Sequence, residues 1–521
     1  MARSVLDPDG HNIEPAVTCP PRNRENLEQT VRMSTGPQLA GAVGRVRVGG
    51  ALPFVVALAA AFALTGCAHG NANRNQPSGA RPGYGNAADL LAAGSPGAHL
   101  WWPLTAPEAT AVSGLPAAAG GDYRALLALG ILASGDVRDA EGIARIQRRI
   151  EQFLTEVRPI VAQAPDLWHR GYELHRAMHR SFFTGDGELA GYEATQPRLT
   201  RVFSTGRYNC LSSAVLYVVL ARAFELPVRA VAVPTHVFVE LGTPGMSPIE
   251  VETTSSRGFG LVHDRRFFAE QAAAWSAQRG LPPLSFEDYQ RREILTPVRL
   301  MALAMRNTLP GASEDDQLRL AELAAVLDPD NLEMQRNRLQ VYGVEANRLR
   351  DQQAWPTVVR FVDVIAPALT ELAARLRDRD IRQSVAWLRW YRGEALMKVG
   401  RAEEALAVFE GGVGAIDPGW PDAAALRNNY WALLNERLVT LLESKAYPEA
   451  ERLVVRHLDG CRAEPTCGPN AGVVYVNWAA DRHNAGDWPG ARQTLQTCLA
   501  HLPAEVRCRE LLDQLDSRRG P

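Results

Sequence analysis

Residues 211 to 224 are apolar almost all round (Leu211, Ala214, Val215, Leu216, Tyr217, Val218, Val219, Leu220, Ala221, Ala223, Phe224), and a helix of that kind is stable only when every side is buried. The pattern predicts a core helix opened by Cys210, with Asn209 suited to cap its start. Leu226-Pro227 ends it, and the apolar run Val228 to Val233 predicts a strand covered on both faces. Alternation then sets in. His236, Phe238 and Glu240 share one face of a second strand, and Val237, Val239 and Leu241 share the other. After a turn-forming stretch, Ile249, Val251 and Thr253 alternate with Glu250 and Glu252 in a short third strand. Upstream, helical patterning predicts helices over Asp136 to Val161 and Asp166 to Phe183.

From about residue 300 onwards the pattern is one of helical hairpins. Gly393, Leu396, Gly400, Ala405, Phe409 and Pro418 fall where a tetratricopeptide repeat places its small and aromatic residues, and the segment resembles that repeat. The spacing recurs at Ala450 and Leu453, and at Ala479, Gly486, Ala491, Leu495 and Pro503, with a partial copy at Ala321 and Ala324. Small residues at a crossing let paired helices approach, and stacked pairs bury a core that one pair cannot. A plain helical bundle is the alternative. The resemblance implies a concave surface that holds a peptide or protein.

The N-terminal third carries an address. An apolar run from Leu52 to Leu64, preceded by Arg45 and Arg47, ends in Leu64-Thr65-Gly66-Cys67. It is too short to span a bilayer and has the layout of a secretory signal. Leu-x-Gly-Cys resembles the bacterial lipobox, which implies lipidation of Cys67, cleavage before it, and a chain anchored to a membrane in the cell envelope with its folded domains in the periplasm. Residues 1–32 hold five acidic residues, whereas 34–66 hold none, so 1–32 is read as a mis-assigned extension that starts ahead of Met33. Residues 33–66 then form the signal and 67–105 a flexible tether.

The balance of 56 basic against 58 acidic residues gives a net charge of −2 and offers no basic surface for nucleic acid. Seven cysteines agree with an exported protein. Cys19 lies in the extension, Cys67 is the lipid site, and Cys210 opens the core helix. The remaining four predict two disulfides, most simply Cys461 to Cys467 and Cys498 to Cys508, because the tight spacings of a zinc site are missing. His175 and His179 share a helix face, but no glutamate stands between them as a metalloprotease site requires. No metal and no organic cofactor is expected.

The chemistry rests on order and spacing. Cys210, His236 and an acid follow one another in one segment, and a cysteine at a helix N-terminus is favoured as thiolate. Glu240 lies four residues along the same strand from His236, roughly 13 Å away and out of reach. Glu250 or Glu252 can sit beside the ring from the next strand, and parity does not separate them. Asn-Cys opening an apolar helix, a His-x-Phe-x-Glu strand, and an acid before threonines together resemble the transglutaminase-like superfamily, a papain-like fold with a Cys-His-Asp site. That resemblance assigns the third role to Glu252, in Glu252-Thr253-Thr254, and leaves Glu250 in reserve. It implies acyl transfer by Cys210, with His236 as base and the backbone N–H of Cys210, supported by Asn209, at the oxyanion. The expected protein is α+β: a papain/transglutaminase-like domain over 106–300, then an all-α tetratricopeptide-like domain over 301–521. The alternative is a catalytically inactive, lipid-anchored scaffold that binds envelope proteins through its repeats.

Overall fold

The computed structural model describes Trp101 and residues 106–243, 245–464 and 467–517. Cys19, Cys67 and the expected leader lie outside the described residues, as does the tether except Trp101. In chain order the first elements are α1 (Ala106–Ser113), α2 (Leu115–Ala119), α3 (Tyr123–Ser134), α4 (Ala140–Gln163), α5 (Leu167–Phe182), α6 (Leu199–Thr205) and α7 (Cys210–Ala223). Then come β1 (Val228–Val233), β2 (His236–Leu241), β3 (Ile249–Val251), α8 (Arg265–Glu270), α9 (Ala272–Gln278), α10 (Phe286–Gln290), β4 (Glu293–Leu295) and α11 (Pro297–Thr308). The remainder is helical: α12 (Glu314–Leu327), α13 (Leu332–Asp351), α14 (Trp355–Leu376), α15 (Arg379–Lys398), α16 (Ala402–Val413), α17 (Ala423–Glu443), α18 (Tyr447–Arg456), α19 (Leu458–Ala463), α20 (Gly468–Asn484), α21 (Trp488–His501) and α22 (Val506–Ser517). A small sheet among many helices makes the fold α+β.

The described chain divides into two compact units, one holding residues 106–440 with 463, 464 and 467, the other residues 441–462 and 468–517. In the first unit, α7 is buried continuously from Cys210 to Ala221. That is the physical consequence of an apolar residue at nearly every position. Against it lies an antiparallel sheet in the order β3-β2-β1-β4. Val237, Val239 and Leu241 of β2 join the same core as α7, while Phe238 turns to the opposite side and packs with Val231, Val233, Leu284 and Tyr289. β1 and β2 are joined by Pro234 and Thr235, and Val233 pairs directly with His236. Thr235 takes φ +70°, the left-handed conformation such a tight turn demands. The turn therefore sets where His236 starts its strand.

Helix starts depend on local caps. The helix expected from Asp136 begins instead after Asp139, whose carboxylate accepts from Gly142 N at 2.6 Å, while Asp136 accepts from the Thr200 hydroxyl at 2.5 Å. Asp166 caps α5 as a residue of that type should. Leu300 and Met301 of α11 lie in the same core as α3 and α7, so the apolar interior runs on past residue 300. A Cβ on Gly130 would stand 2.9 Å from Leu199, 3.2 Å from Val215 and 3.6 Å from Met301, which shows how closely these helices meet.

The later helices of this unit pack in succession, α12 on α13, α14 on α15 and α15 on α16. A Cβ on Gly393 would fall 2.6 Å from Leu433, and one on Gly412 2.1 Å from the Tyr430 ring, so these glycines permit close helix approach. In the second unit α20 packs on α21 and α22, and Cys498–Cys508 ties α21 to α22. Cys461 and Cys467 are disulfide-bonded as well, so two disulfides fit the four C-terminal cysteines. No helix among the described residues is long and apolar enough to cross a membrane.

The seat of α5 on the sheet is tight at Gly171, where an added Cβ would lie 2.3 Å from Leu241 and 2.9 Å from Phe259. Gly171→Ala should therefore destabilise the protein by about 1–3 kcal/mol through overpacking, despite the better helix propensity of alanine. Equilibrium denaturation of the variant checks this, and an unchanged or raised midpoint would contradict the packing.

Candidate functional site

Cys210 is the first residue of α7, and its position is fixed by a reciprocal cap. Asn209 Oδ1 accepts from Leu211 N at 2.9 Å and Ser212 N at 3.0 Å, and Ser212 Oγ accepts from Asn209 N at 3.0 Å. Asn209 Nδ2 donates to the Ala194 carbonyl at 3.1 Å, so this side chain, predicted to support an oxyanion, here anchors the helix start to the preceding loop. The helix dipole at this end favours a thiolate.

His236 begins β2, with 4 % of its surface exposed, and its Nε2 lies 2.6 Å from Glu252 Oε2. The other ring nitrogen, Nδ1, is buried without a hydrogen-bond partner. Glu252 is wholly buried just past β3. Its second oxygen accepts from Thr254 N at 3.0 Å and from the Thr254 hydroxyl at 2.5 Å. The carboxylate thus sits in a tight turn, where Glu252 N donates to Gly258 O at 2.8 Å. Gly258 has no room for a side chain, since a Cβ would lie 2.1 Å from the Glu252 carbonyl. Two bonds join this turn to the Cys210 end of α7: Ser213 Oγ lies 2.8 Å from Thr253 Oγ1, and Tyr208 donates to Thr254 O at 2.9 Å. Cys210, His236 and Glu252 are in this way brought to one corner of the fold.

Glu250 goes elsewhere, although strand parity puts it on the same face as Glu252. It accepts from Tyr289, lies 2.6 Å from His263 Nδ1, and pairs with Arg292 at 3.5 Å. Glu240 stands opposite it across the strands and is matched by Arg229 and Arg292. Opposed like charges destabilise a sheet unless counter-charges separate them, which the two arginines do.

Burial alone would raise the Glu252 carboxyl. The charge and hydrogen bond of His236, the charge of Arg279 and the Thr254 hydroxyl outweigh it and hold the group down at about 2. Arg279 was not foreseen, because nothing in its local sequence marks it. It is buried, donates from Nε to Thr254 Oγ1 at 3.0 Å, and lies 4.4 Å over the Trp275 ring. Trp275 in turn meets the His236 ring edge-on at 4.7 Å. Behind the turn, His179 donates from Nε2 to Thr253 O at 3.1 Å, and its ring lies 4.6 Å from that of His175. Burial, aided by the proximity of His179, lowers His175 to about 3, and burial lowers His179 to about 4. No group of side chains among the described residues is arranged to hold a metal ion.

Comparison with known proteins adds one domain-level result. The transglutaminase-like superfamily profile (Transglut_core2) matches residues 144–256, so the chain carries a transglutaminase-like domain there. No curated protein matches the chain. A crystal structure of menin, described as revealing the binding site for the Mixed Lineage Leukemia protein, aligns with 79 % of this chain and 96 % of its own at 14 % identity and a TM-score of 0.32, too loose a likeness to carry an argument.

Buried His175 and half-buried His179 make stability depend on acid. Their folded-state values lie below the ordinary 6.5, so below that pH the unfolded chain binds more protons. Their contribution is complete above pH 6.5 and is lost as pH falls through about 4 and then 3. His175→Leu removes the ring whose value is lowered furthest. This variant should lose less stability than the parent between pH 6.5 and 4, as read from denaturant midpoints. Parallel curves would show that His175 is not the titrating group.

Proposed function

We propose that the transglutaminase-like domain is a cysteine acyl-transfer enzyme in a lipid-anchored envelope protein. The observation that carries the reading is the buried His236–Glu252 pair, with His236 Nδ1 unpartnered, at the corner where α7 begins with Cys210. In the proposed reaction His236 takes the thiol proton and the thiolate attacks a carboxamide or peptide carbonyl. The tetrahedral oxyanion draws on the backbone N–H of Cys210, and collapse expels the amine, which receives the proton from His236. The resulting thioester passes its acyl group to water, giving an amidase or peptidase, or to an amine, giving a crosslink. Glu252 keeps the proton on Nε2 and so leaves Nδ1 to act as the base.

Lipidation of Cys67 would tether the chain to a membrane, and the helices beyond residue 300 would act as tetratricopeptide-like repeats that hold a peptide or protein. Close helix contacts at Gly393 and Gly412 support that repeat reading. A second reading, an inactive tethered scaffold, is favoured by the low exposure of Cys210 and His236, 2 % and 4 %.

Alkylation kinetics separate the two readings. A thiolate stabilised by the helix end and by His236 should react with iodoacetamide at pH values well below the ~8.5 of an ordinary thiol. His236→Ala should move that profile to alkaline pH, and Glu252→Gln should move it part of the way, whereas Glu250→Gln should leave it in place. Cys210 reacting only after unfolding, or a profile indifferent to His236, would favour the scaffold. Anchoring is tested separately. Cys67→Ser should leave the signal uncleaved or release the protein from the membrane fraction, and normal processing with full membrane retention would refute the anchor.

A further inference from the structure

On the sheet face that carries His236, a second histidine–carboxylate pair borders an open surface cavity, a shallow depression of about 870 Å3 lined by His263, Asp264, Arg265, Phe286, Tyr289 and Arg292, among others. His263 is nearly buried, and Glu250 receives its Nδ1 at 2.6 Å. Tyr289 donates to the same carboxylate, and the Arg292 charge lies beside it. An ionised acceptor on Nδ1 fixes the tautomer of His263 and leaves Nε2 to serve the cavity. This arrangement, an imidazole aimed by a carboxylate, plays no part in the reaction proposed above.

The charges of the lining are unequally engaged. Arg292 is matched by Glu240 and Glu250, and Arg266 by Glu270 at 3.1 Å. Asp264 caps α8 through Phe267 N at 2.9 Å. Among the described residues, Arg265 has no carboxylate within ion-pair distance, and its guanidinium lies 4.9 Å over the Phe286 ring. One open guanidinium and one oriented imidazole, set among Glu240, Glu250, Asp264 and Glu270, suit a single negative charge better than a multiply charged phosphate. Phe286 and Tyr289 offer apolar faces to the remainder of such a ligand.

We propose that this cavity recognises a carboxylate carried by a peptide-like ligand, with Arg265 and His263 as its donors. If the thiol reading holds, the same contacts name the substrate class. The His263 ring lies 6.5 Å from the Trp275 ring, which lies 4.7 Å from that of His236, so the two imidazoles are within about 11 Å. Three extended residues span roughly that length. The ligand is therefore an acidic peptide whose carboxylate stands no more than about three residues from the amide under attack.

Calorimetry on the full chain carrying Cys210→Ala tests binding with turnover removed. The probes are acetyl-Ala-Ala-Glu-amide, acetyl-Ala-Ala-Gln-amide and inorganic phosphate. The glutamate peptide should bind about tenfold more tightly than the glutamine peptide, as one charge-assisted contact implies. Arg265→Gln, at an exposed position outside any core, should erase that preference, and Arg265→Lys should restore part of it. Equal affinity for the two peptides, a preference for phosphate, no binding of any probe, or indifference to Arg265→Gln would each overturn the proposal. Because these measurements do not use the thiol, a selective cavity beside an unreactive Cys210 would show that the catalytic reading, not this one, had failed.

Discussion

A carboxylate with no exposed surface must find its partners inside the protein, and Glu252 is the group around which this corner is organised. An unpaired buried charge costs several kcal/mol, far more than any single contact nearby contributes. Each neighbouring feature answers that need. Thr254 folds back to supply a hydroxyl and an N–H, the turn to Gly258 closes over it, His236 occupies the other oxygen, and Arg279 adds charge through Thr254. The two histidines behind the turn remain neutral, and so leave the charge balance to His236 and Arg279. In a medium of low polarisability these bonds reinforce one another. Removal of any one leaves the others facing an unsatisfied charge.

Two glutamates that alternation assigns to one strand face receive opposite treatment, which shows how far alternation can be read. The phase of β2 is legible from sequence: Val237, Val239 and Leu241 meet α7, and Phe238 turns away. The same logic puts Glu250 and Glu252 on one side and stops there. What separates them is tertiary. Glu250 lies within the paired strand, opposite Glu240 and beside Arg292, whereas Glu252 lies past the last strand residue, where the chain turns inward. Only the resemblance to a known superfamily favoured Glu252 beforehand. Trp275, Arg279 and His263 were invisible because their roles arise from ring and guanidinium contacts with residues far away in sequence, and such contacts leave no local period.

The helices after residue 300 teach a related lesson. Their 3.6-residue pattern was plain, yet a pattern specifies which face is buried and not what covers it. Leu300 and Met301 bury against α3 and α7 in the core that also supports the sheet, so the first of these helices is as much a wall of the transglutaminase-like domain as the start of the helical array. Asp136 makes the same point on a smaller scale. It is a good cap by type, but Thr200 engages it, and the helix begins where Asp139 can satisfy the N–H groups.

Closure and access are in tension at this corner. Hiding His236 and Glu252 from water strengthens their pairing, but in the proposed reaction a substrate must still reach Cys210. The elements around the pair differ greatly in how firmly they are held. α7 has twelve buried residues, whereas α8 has none and α9 has two, Ala272 and Ser276. Buried apolar area sets most of the cost of moving an element. The segment that presses Trp275 against His236 is therefore far less anchored than α7, and Arg279 is its chief polar tie to the Glu252 turn through Thr254. The residue that helps keep the acid ionised is also the one that holds the cover down, so the electrostatics of the pair and its exposure cannot vary independently.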